Sequence, residues 1–143
     1  MVLSDVEILS ALKAGIIKIV PFSRNCLNPA GYDLRLKNMV VIDPGVQELV
    51  ATIERIELDL NMVGFLNIRS SFAREGVIGS FALVDPGFRG QLTIALFNAS
   101  KQRVKIKEGE RFVQVTFAKL GGTAKRGYVG RYQDSQGVVK SLR

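Results

Sequence analysis

The chain has 143 residues, 47% of them hydrophobic, and 20 basic against 13 acidic side chains give a net charge of +7. That length suits one domain, which buries roughly two-thirds of its unfolded surface without staples, and the apolar share excludes a disordered tail protein. With no histidine and one cysteine, Cys26, the composition excludes Ser-His-Asp and Cys-His catalysis, histidine-ligated zinc and an internal disulfide, while the basic balance points to an anionic partner such as nucleotide phosphate or nucleic acid.

The opening MVLSDVEILSAL lacks the basic start and long apolar core of a secretory leader. No apolar run approaches membrane-spanning length, so no contact with a membrane is expected. Ser4 and Glu7 form a capping box that opens a helix over about 4–14, with Val6, Ile8, Leu9 and Leu12 on one side and Gly15 as the stop. Alternating patterns then predict short strands over 16–20, 32–36, 39–42, 50–58, 64–69, 77–84, 91–98, 104–107 and 111–120. Asn28-Pro29, Asp43-Pro44-Gly45, Asp85-Pro86-Gly87, Glu108-Gly109 and Gly121-Gly122 separate them as turns. Many short strands in one domain predict a mainly β fold, a sandwich or a jelly-roll-like distorted barrel, over residues 1–143. The dense basic stretch Lys101–Lys107 reads as an exposed strand with alternating lysines. The Gly-, Tyr-, Lys-, Arg- and Gln-rich tail over about 122–143 reads as a mobile arm outside the core.

Four stretches carry chemistry. NPAGYDLRL (28–36) puts Asp33 and Arg35 on the same face of a strand, and IRSSFAREG (68–76) sets two serines and two arginines at the end of another. SFALVDPGFRG (80–90) presents Asp85 beside a turn with an aromatic three residues on, and GERFVQVTF (109–117) holds a polar Gln114 in an apolar run. Hydroxyls, guanidinium groups and an amide together suit a polyphosphate, and one carboxylate suits the activation of water. Each stretch also has a plain structural reading. Asp before Pro-Gly forms turns, a serine pair after a strand caps the next helical turn, Arg35 and Arg89 suit a solvated surface, and Gln114 suits a water-facing strand position.

The order of these stretches resembles the superfamily of trimeric dUTPases and dCTP deaminases. Segments like A-G-Y-D-L-R, R-S-S-x-A-R, I-D-P-G-[FWY]-x-G and G-x-R-x-x-Q-x-x-F follow one another there, and here they stand as Ala30–Arg35, Arg69–Arg74, Val84–Gly90 and Gly109–Phe117. Both chain ends, LSDVEILSALKAG with IIKIVPF and YVGRYQDSQGV (128–138), resemble the deaminases and their bifunctional archaeal relatives. The resemblance implies a homotrimer of distorted jelly-roll subunits with sites between subunits, acting on a deoxynucleotide in the cytoplasm and not on nucleic acid. The absence of an aromatic-rich basic sheet motif agrees with the last point.

Within that superfamily the strand after I-D-P-G-x-x-G decides between two reactions. Deaminases carry a glutamate there that moves protons between water and the cytosine amino group. Aligned on Gly90 and Asn98, that position here is Ala95, and a methyl group transfers no proton. The loop before Val84-Asp85 is also shorter than the bacterial deaminase pattern, lacks its histidine and has Phe81-Ala82 where Ala-Gly is usual. The resemblance therefore implies a dUTP diphosphatase that forms dUMP and pyrophosphate in pyrimidine deoxynucleotide metabolism. Asp85 matches the water-activating aspartate, and Mg²⁺ is implied as an ion held mainly by the triphosphate, with no direct protein ligand. Arg69, Ser70, Ser71, Arg74 and Gln114 match phosphate contacts. Phe88 matches the aromatic under the deoxyribose, Ser80 stands in for a base-loop threonine, and Asp33 supports the site or pairs with Arg35. Tyr128, Arg131 and Gln136 match the tail that closes over the triphosphate. Two alternatives stay open: a dCTP deaminase homologue made inactive by Ala95, and a non-catalytic nucleotide-binding protein.

Overall fold

A computed structural model describes residues 1–143. Helix α1 (Asp5–Lys13) starts where Ser4 and Glu7 cap each other's amides and ends before Gly15, whose φ is +73°. It docks through Ile8 and Ala11, with Leu9 and Leu12 half-buried. Val6, placed on the apolar side by its spacing, is 70% exposed, because the face that meets the sheets is centred one residue-row away.

The strands are β1 (Ile17–Val20), β2 (Leu27–Asn28), β3 (Gly31–Arg35), β4 (Val40–Ile42), β5 (Gln47–Leu58), β6 (Met62–Ile68), β7 (Val77–Ser80), β8 (Arg89–Asn98), β9 (Val104–Ile106) and β10 (Arg111–Lys119). A short helix α2 (Ser70–Arg74) separates β6 from β7. They build two four-stranded sheets, β1-β5-β8-β7 and β2-β3-β10-β6, and a small β4-β9 ribbon, with antiparallel pairing throughout. Distorted antiparallel layers of this kind are jelly-roll-like. The core lies between the sheets, where Tyr32, Leu34, Ile56, Ile94, Leu96, Phe112 and Phe117 are fully buried. Each such side chain gains about 1.5–3 kcal/mol by leaving water. No helix is long and apolar enough to cross a membrane.

Two departures from the sequence pattern shape the molecule. The strand expected over 77–84 stops at Ser80, because the Phe81 ring folds back over Gly79, where a side chain would collide with it. The chain then crosses to the other sheet and rejoins it at Val84, which bridges Gly64. In β5, four steps from Ala51 to Arg55 are matched by two on β8, from Thr93 to Gln91. This bulge swings Thr52 out to bridge Leu36 beyond the end of β3. Thr52 Oγ1 donates to Glu54 O at 2.8 Å and accepts from Leu92 N at 3.0 Å. Glu54, fully buried, accepts from the Arg35 amide at 2.9 Å and from Arg35 Nε at 2.7 Å.

Glu54→Ala leaves the Arg35 amide and guanidinium without their acceptor inside the fold. We expect a loss of about 3 kcal/mol, the low end for a broken buried pair because Arg35 keeps some solvent, read as a lower urea midpoint at fixed protein concentration.

Candidate active site

The break at Ser80 opens a cavity. β8 is paired with β5 along both arms of the bulge, but β7 covers its other edge only from Ala95 onward. Residues 81–83 leave that edge, and the gap beside Gln91–Thr93 becomes a cavity of about 440 Å³. Its wall includes Leu49, Leu83, Phe88 and Leu92, and its opposite side is closed by Tyr128, Tyr132 and Val139 of the C-terminal arm. Asp85 is the sole carboxylate among the lining residues, and no lysine or arginine is among them.

Asp85 stands on a tight turn. Phe88 N donates to Asp85 O at 3.1 Å, and Gly87 takes a φ of +77°, which favours glycine. Gly87 N donates to Leu58 O at 3.0 Å, so the turn is tied to the end of β5. The arm rests on this turn. Tyr128 N donates to Pro86 O at 2.8 Å, and a side chain on Gly87 would meet the Gly127 Cα at 2.7 Å. Tyr128 and Phe88 then meet edge-to-face with ring centroids 5.6 Å apart. The Asp85 carboxylate is half-buried at the cavity wall.

Gln91 ties three segments together. Its Oε1 accepts from Lys37 Nζ at 2.9 Å and from the arm's Gly137 N at 2.6 Å, and its Nε2 donates to Ile53 O at 2.9 Å. Nothing in its own neighbourhood of sequence marks it, since its partners come from a bulge, a loop and the arm. Thr93 Oγ1 accepts from Val139 N at 2.9 Å. Alternate residues of a strand turn their peptide groups to one side. Arg89 O and Gln91 N both bond the arm, so the Thr93 peptide faces the same edge, between arm and β7, beside the cavity. Ala95 follows on this face, with Leu49 opposite on β5 and Ser80 opposite on β7.

The structure brings together only part of the residue set singled out from the sequence. Asp85, Phe88 and Tyr128 line the cavity; Ser80 sits just beyond its end. The arm residues Arg131 and Gln136 are exposed, and Arg131 Nη1 bonds Leu142 O. The expected mobile arm is docked along Pro86–Thr93, because Gly87 lets its backbone approach and β8 offers it an unfilled edge.

Arg69, Asp33 and Gln114 form a second group. Asp33 is buried beside Arg69 Nε at 3.1 Å and Arg111 Nη1 at 3.8 Å, and it stands opposite Gln114 in the ladder. The expected pairing of Asp33 with Arg35 is not formed, because Glu54 on β5 takes Arg35. Ser70 and Ser71 are exposed in α2, followed by an exposed Arg74. Val84, next to Asp85, bridges Gly64, whereas Arg69 lies five residues further along. At strand rise that is roughly 17 Å, so one chain keeps these residues away from the Asp85 cavity.

The comparisons with known proteins agree with this architecture. The family model described as dCTP deaminase-like matches residues 37–120, and the chain belongs to that family. A dCTP deaminase of Thermococcus kodakarensis is 49% identical over an alignment covering 89% of this chain and 92% of its own. A probable deoxyuridine 5'-triphosphate nucleotidohydrolase of Sulfolobus islandicus rod-shaped virus 1 is 35% identical and covered at 97% on both sides. The 2'-deoxycytidine 5'-triphosphate deaminase of Agrobacterium tumefaciens shares the fold, with a TM-score of 0.72 at 18% identity over 84% of this chain. The chain spans about half, 49%, of that deaminase's length.

Gly87→Ala strains the aspartate turn and pushes on Gly127. We expect it to cost more than about 1 kcal/mol and to speed trypsin cleavage at Lys125 and Arg126, measured by mass spectrometry of timed digests.

Proposed function

We propose that the protein is a dUTP diphosphatase, hydrolysing dUTP to dUMP and pyrophosphate. The observation that carries this reading is the cavity's single carboxylate: Asp85 lines it, and Ala95, two residues along β8 from the lining Thr93, offers nothing that could shuttle a proton to a pyrimidine ring. The 35% identity to a probable viral dUTP nucleotidohydrolase supports it.

In this reading a flat pyrimidine enters between Leu49, Leu83 and the arm, and the free peptide edge at Thr93 offers an N–H and a C=O to the base. The Phe88 ring supports the deoxyribose. Asp85 accepts a proton from water as its oxygen attacks the α-phosphorus, and the bond from phosphorus to the bridging oxygen of pyrophosphate breaks. Positioning and charge stabilisation supply most of the rate in such transfers. Because the cavity lacks cations, the phosphates must meet them outside it. Arg69, Ser70, Ser71, Arg74 and Gln114 of another copy of this chain supply them in a homotrimer, with Tyr128, Arg131 and Gln136 of the arm closing the site. No cluster of three or more His, Cys, Asp or Glu side chains gathers to hold a metal. Mg²⁺ would therefore be held mainly by the triphosphate and its waters, and would neutralise phosphate charge there.

A second reading, a dCTP deaminase homologue, is favoured by the 49% identity to the Thermococcus protein of that name. Incubation with dUTP or dCTP and Mg²⁺, followed by separation of products, decides between them. We expect dUMP and pyrophosphate from dUTP; ammonia released from dCTP would overturn the proposal. Asp85→Asn is expected to lower kcat by ~10²–10⁴, the range for losing a general base, while dUTP binding by calorimetry persists.

A further inference from the structure

The arm over about 122–143 forms one side of the cavity and packs Tyr128 against Phe88 and the core, yet much of its apolar surface stays exposed. Val129 is 83% exposed, and Val138 and Leu142 are close to half-exposed. The arm's polar ties run from Pro86 to Thr93, and the densest group of them lies at the start of β8. Asp134 N donates to Arg89 O at 2.8 Å, Arg89 N donates to Gln133 Oε1 at 2.8 Å, and Gln91 N donates to Ser135 O at 2.8 Å. Three successive arm residues thus grip the free start of β8, two through main-chain atoms and one through the Gln133 side chain.

The side chain of the middle residue spans two strands. Asp134 accepts from Arg89 Nε at 2.8 Å and Nη2 at 3.0 Å, and from Arg55 Nη2 at 2.7 Å across on β5. Asp134 is also the chain's one non-glycine residue with positive φ, at +60°. Asp is one of the few non-glycine residues that adopts this conformation readily. A carboxylate set there and fixed to two guanidiniums on two strands points to a positioning role.

We propose that Asp134 is a positioning residue: its clasp on Arg55 and Arg89 sets how much of the time the arm closes the cavity, and so how tightly substrate is held. The clasp does not touch substrate; it acts through Tyr128, Tyr132 and Val139, which the arm brings to the cavity. The part of this inference that concerns substrate rests on the proposed hydrolase reading, whereas arm closure does not.

The surrounding charges define its response to solution conditions. Arg55 also bonds Glu57 at 3.2 Å, and Glu57 meets Lys18 at 3.0 Å. First Arg89 and then Arg55 hold the Asp134 carboxyl below its ordinary range. A lowered carboxylate contributes above its unfolded pKa and is lost as pH falls through the folded one. The clasp is therefore formed at neutral pH and weakens as pH falls below the ordinary aspartate range. Its side chains are one-third to one-half exposed, so salt weakens it at any pH.

Two variants separate charge from backbone effects. Asp134→Asn keeps a side chain that tolerates positive φ, and Asp134→Gly relieves the backbone while removing the carboxylate. Both are expected to raise trypsin cleavage at Arg131 and Lys140, and amide exchange across 133–137, by roughly threefold to tenfold at low salt, as for exposed charge-assisted pairs. Raising NaCl to about 1 M, where screening shortens to a few ångströms, should bring wild type to the variants' level and leave the variants unchanged. With dUTP, KM rises by a similar factor in both variants while kcat holds, because Asp85 is untouched. Cleavage and exchange unchanged in both variants, or a wild-type arm indifferent to salt, would overturn the clasp. Loss of kcat alone, without arm opening, would overturn the positioning role. If dUTP proves not to be the substrate, cleavage and exchange still decide the clasp on their own.

Discussion

The fold turns on a carboxylate with no water to keep it charged. Glu54 is fully buried at the β5 bulge, and burying an unpaired charge costs several kcal/mol. Arg35 meets it twice, through its amide and its guanidinium, and passes a third bond to Pro21 O at 3.0 Å. Because β3 and β5 belong to different sheets, this pair fixes how the sheets sit on each other. The same bulge turns Ile53 O toward Gln91 and Ala51 O toward the Lys37 amide. The cavity wall at Gln91 is thus a consequence of how the buried acid is satisfied.

In the proposed reading, the cavity and the basic cluster divide one chemical task. A pocket of apolar and aromatic side chains with one carboxylate suits a base and sugar beside an activated water, and it repels polyphosphate if anything. The residues that suit polyphosphate lie along β6, α2 and β10, where Asp33 holds Arg69 in place. Burial explains the division. Guanidiniums need solvent or a paired acid, whereas a stacking surface needs to exclude water. In the proposed homotrimer, a nucleotide that used both groups would lie across a boundary between chains.

The arm differs from the core in what holds it. The sheets are stabilised by fully buried side chains, but apart from Tyr128 on Phe88 the arm depends mostly on main-chain bonds to β8 and on exposed ion pairs. Such contacts open at low free-energy cost, so the arm can admit a ligand without disturbing the sheets. Its approach is licensed by missing atoms: with side chains at Gly87 and Gly127, the backbones could not meet.

Local patterning carried much of the architecture. The Ser4–Glu7 cap, the strand periodicities and the Asp85-Pro86-Gly87 turn are legible because each depends on residues a few positions apart. The candidate site was legible where motifs supply it, at Asp85, Phe88 and Tyr128, and illegible at Gln91, Thr93 and Asp134, whose partners lie 38 or more residues away. The sequence by itself determined a β-rich chain with an aspartate on the Asp85-Pro86-Gly87 turn and an alanine at position 95 of the strand that follows. Only the tertiary structure decided that Arg35 belongs to Glu54 and not to Asp33, that the strand after Val77 ends at Ser80, and that the tail lies on β8. These outcomes follow from desolvation and steric fit between distant segments, and neither is written in the spacing of neighbouring residues.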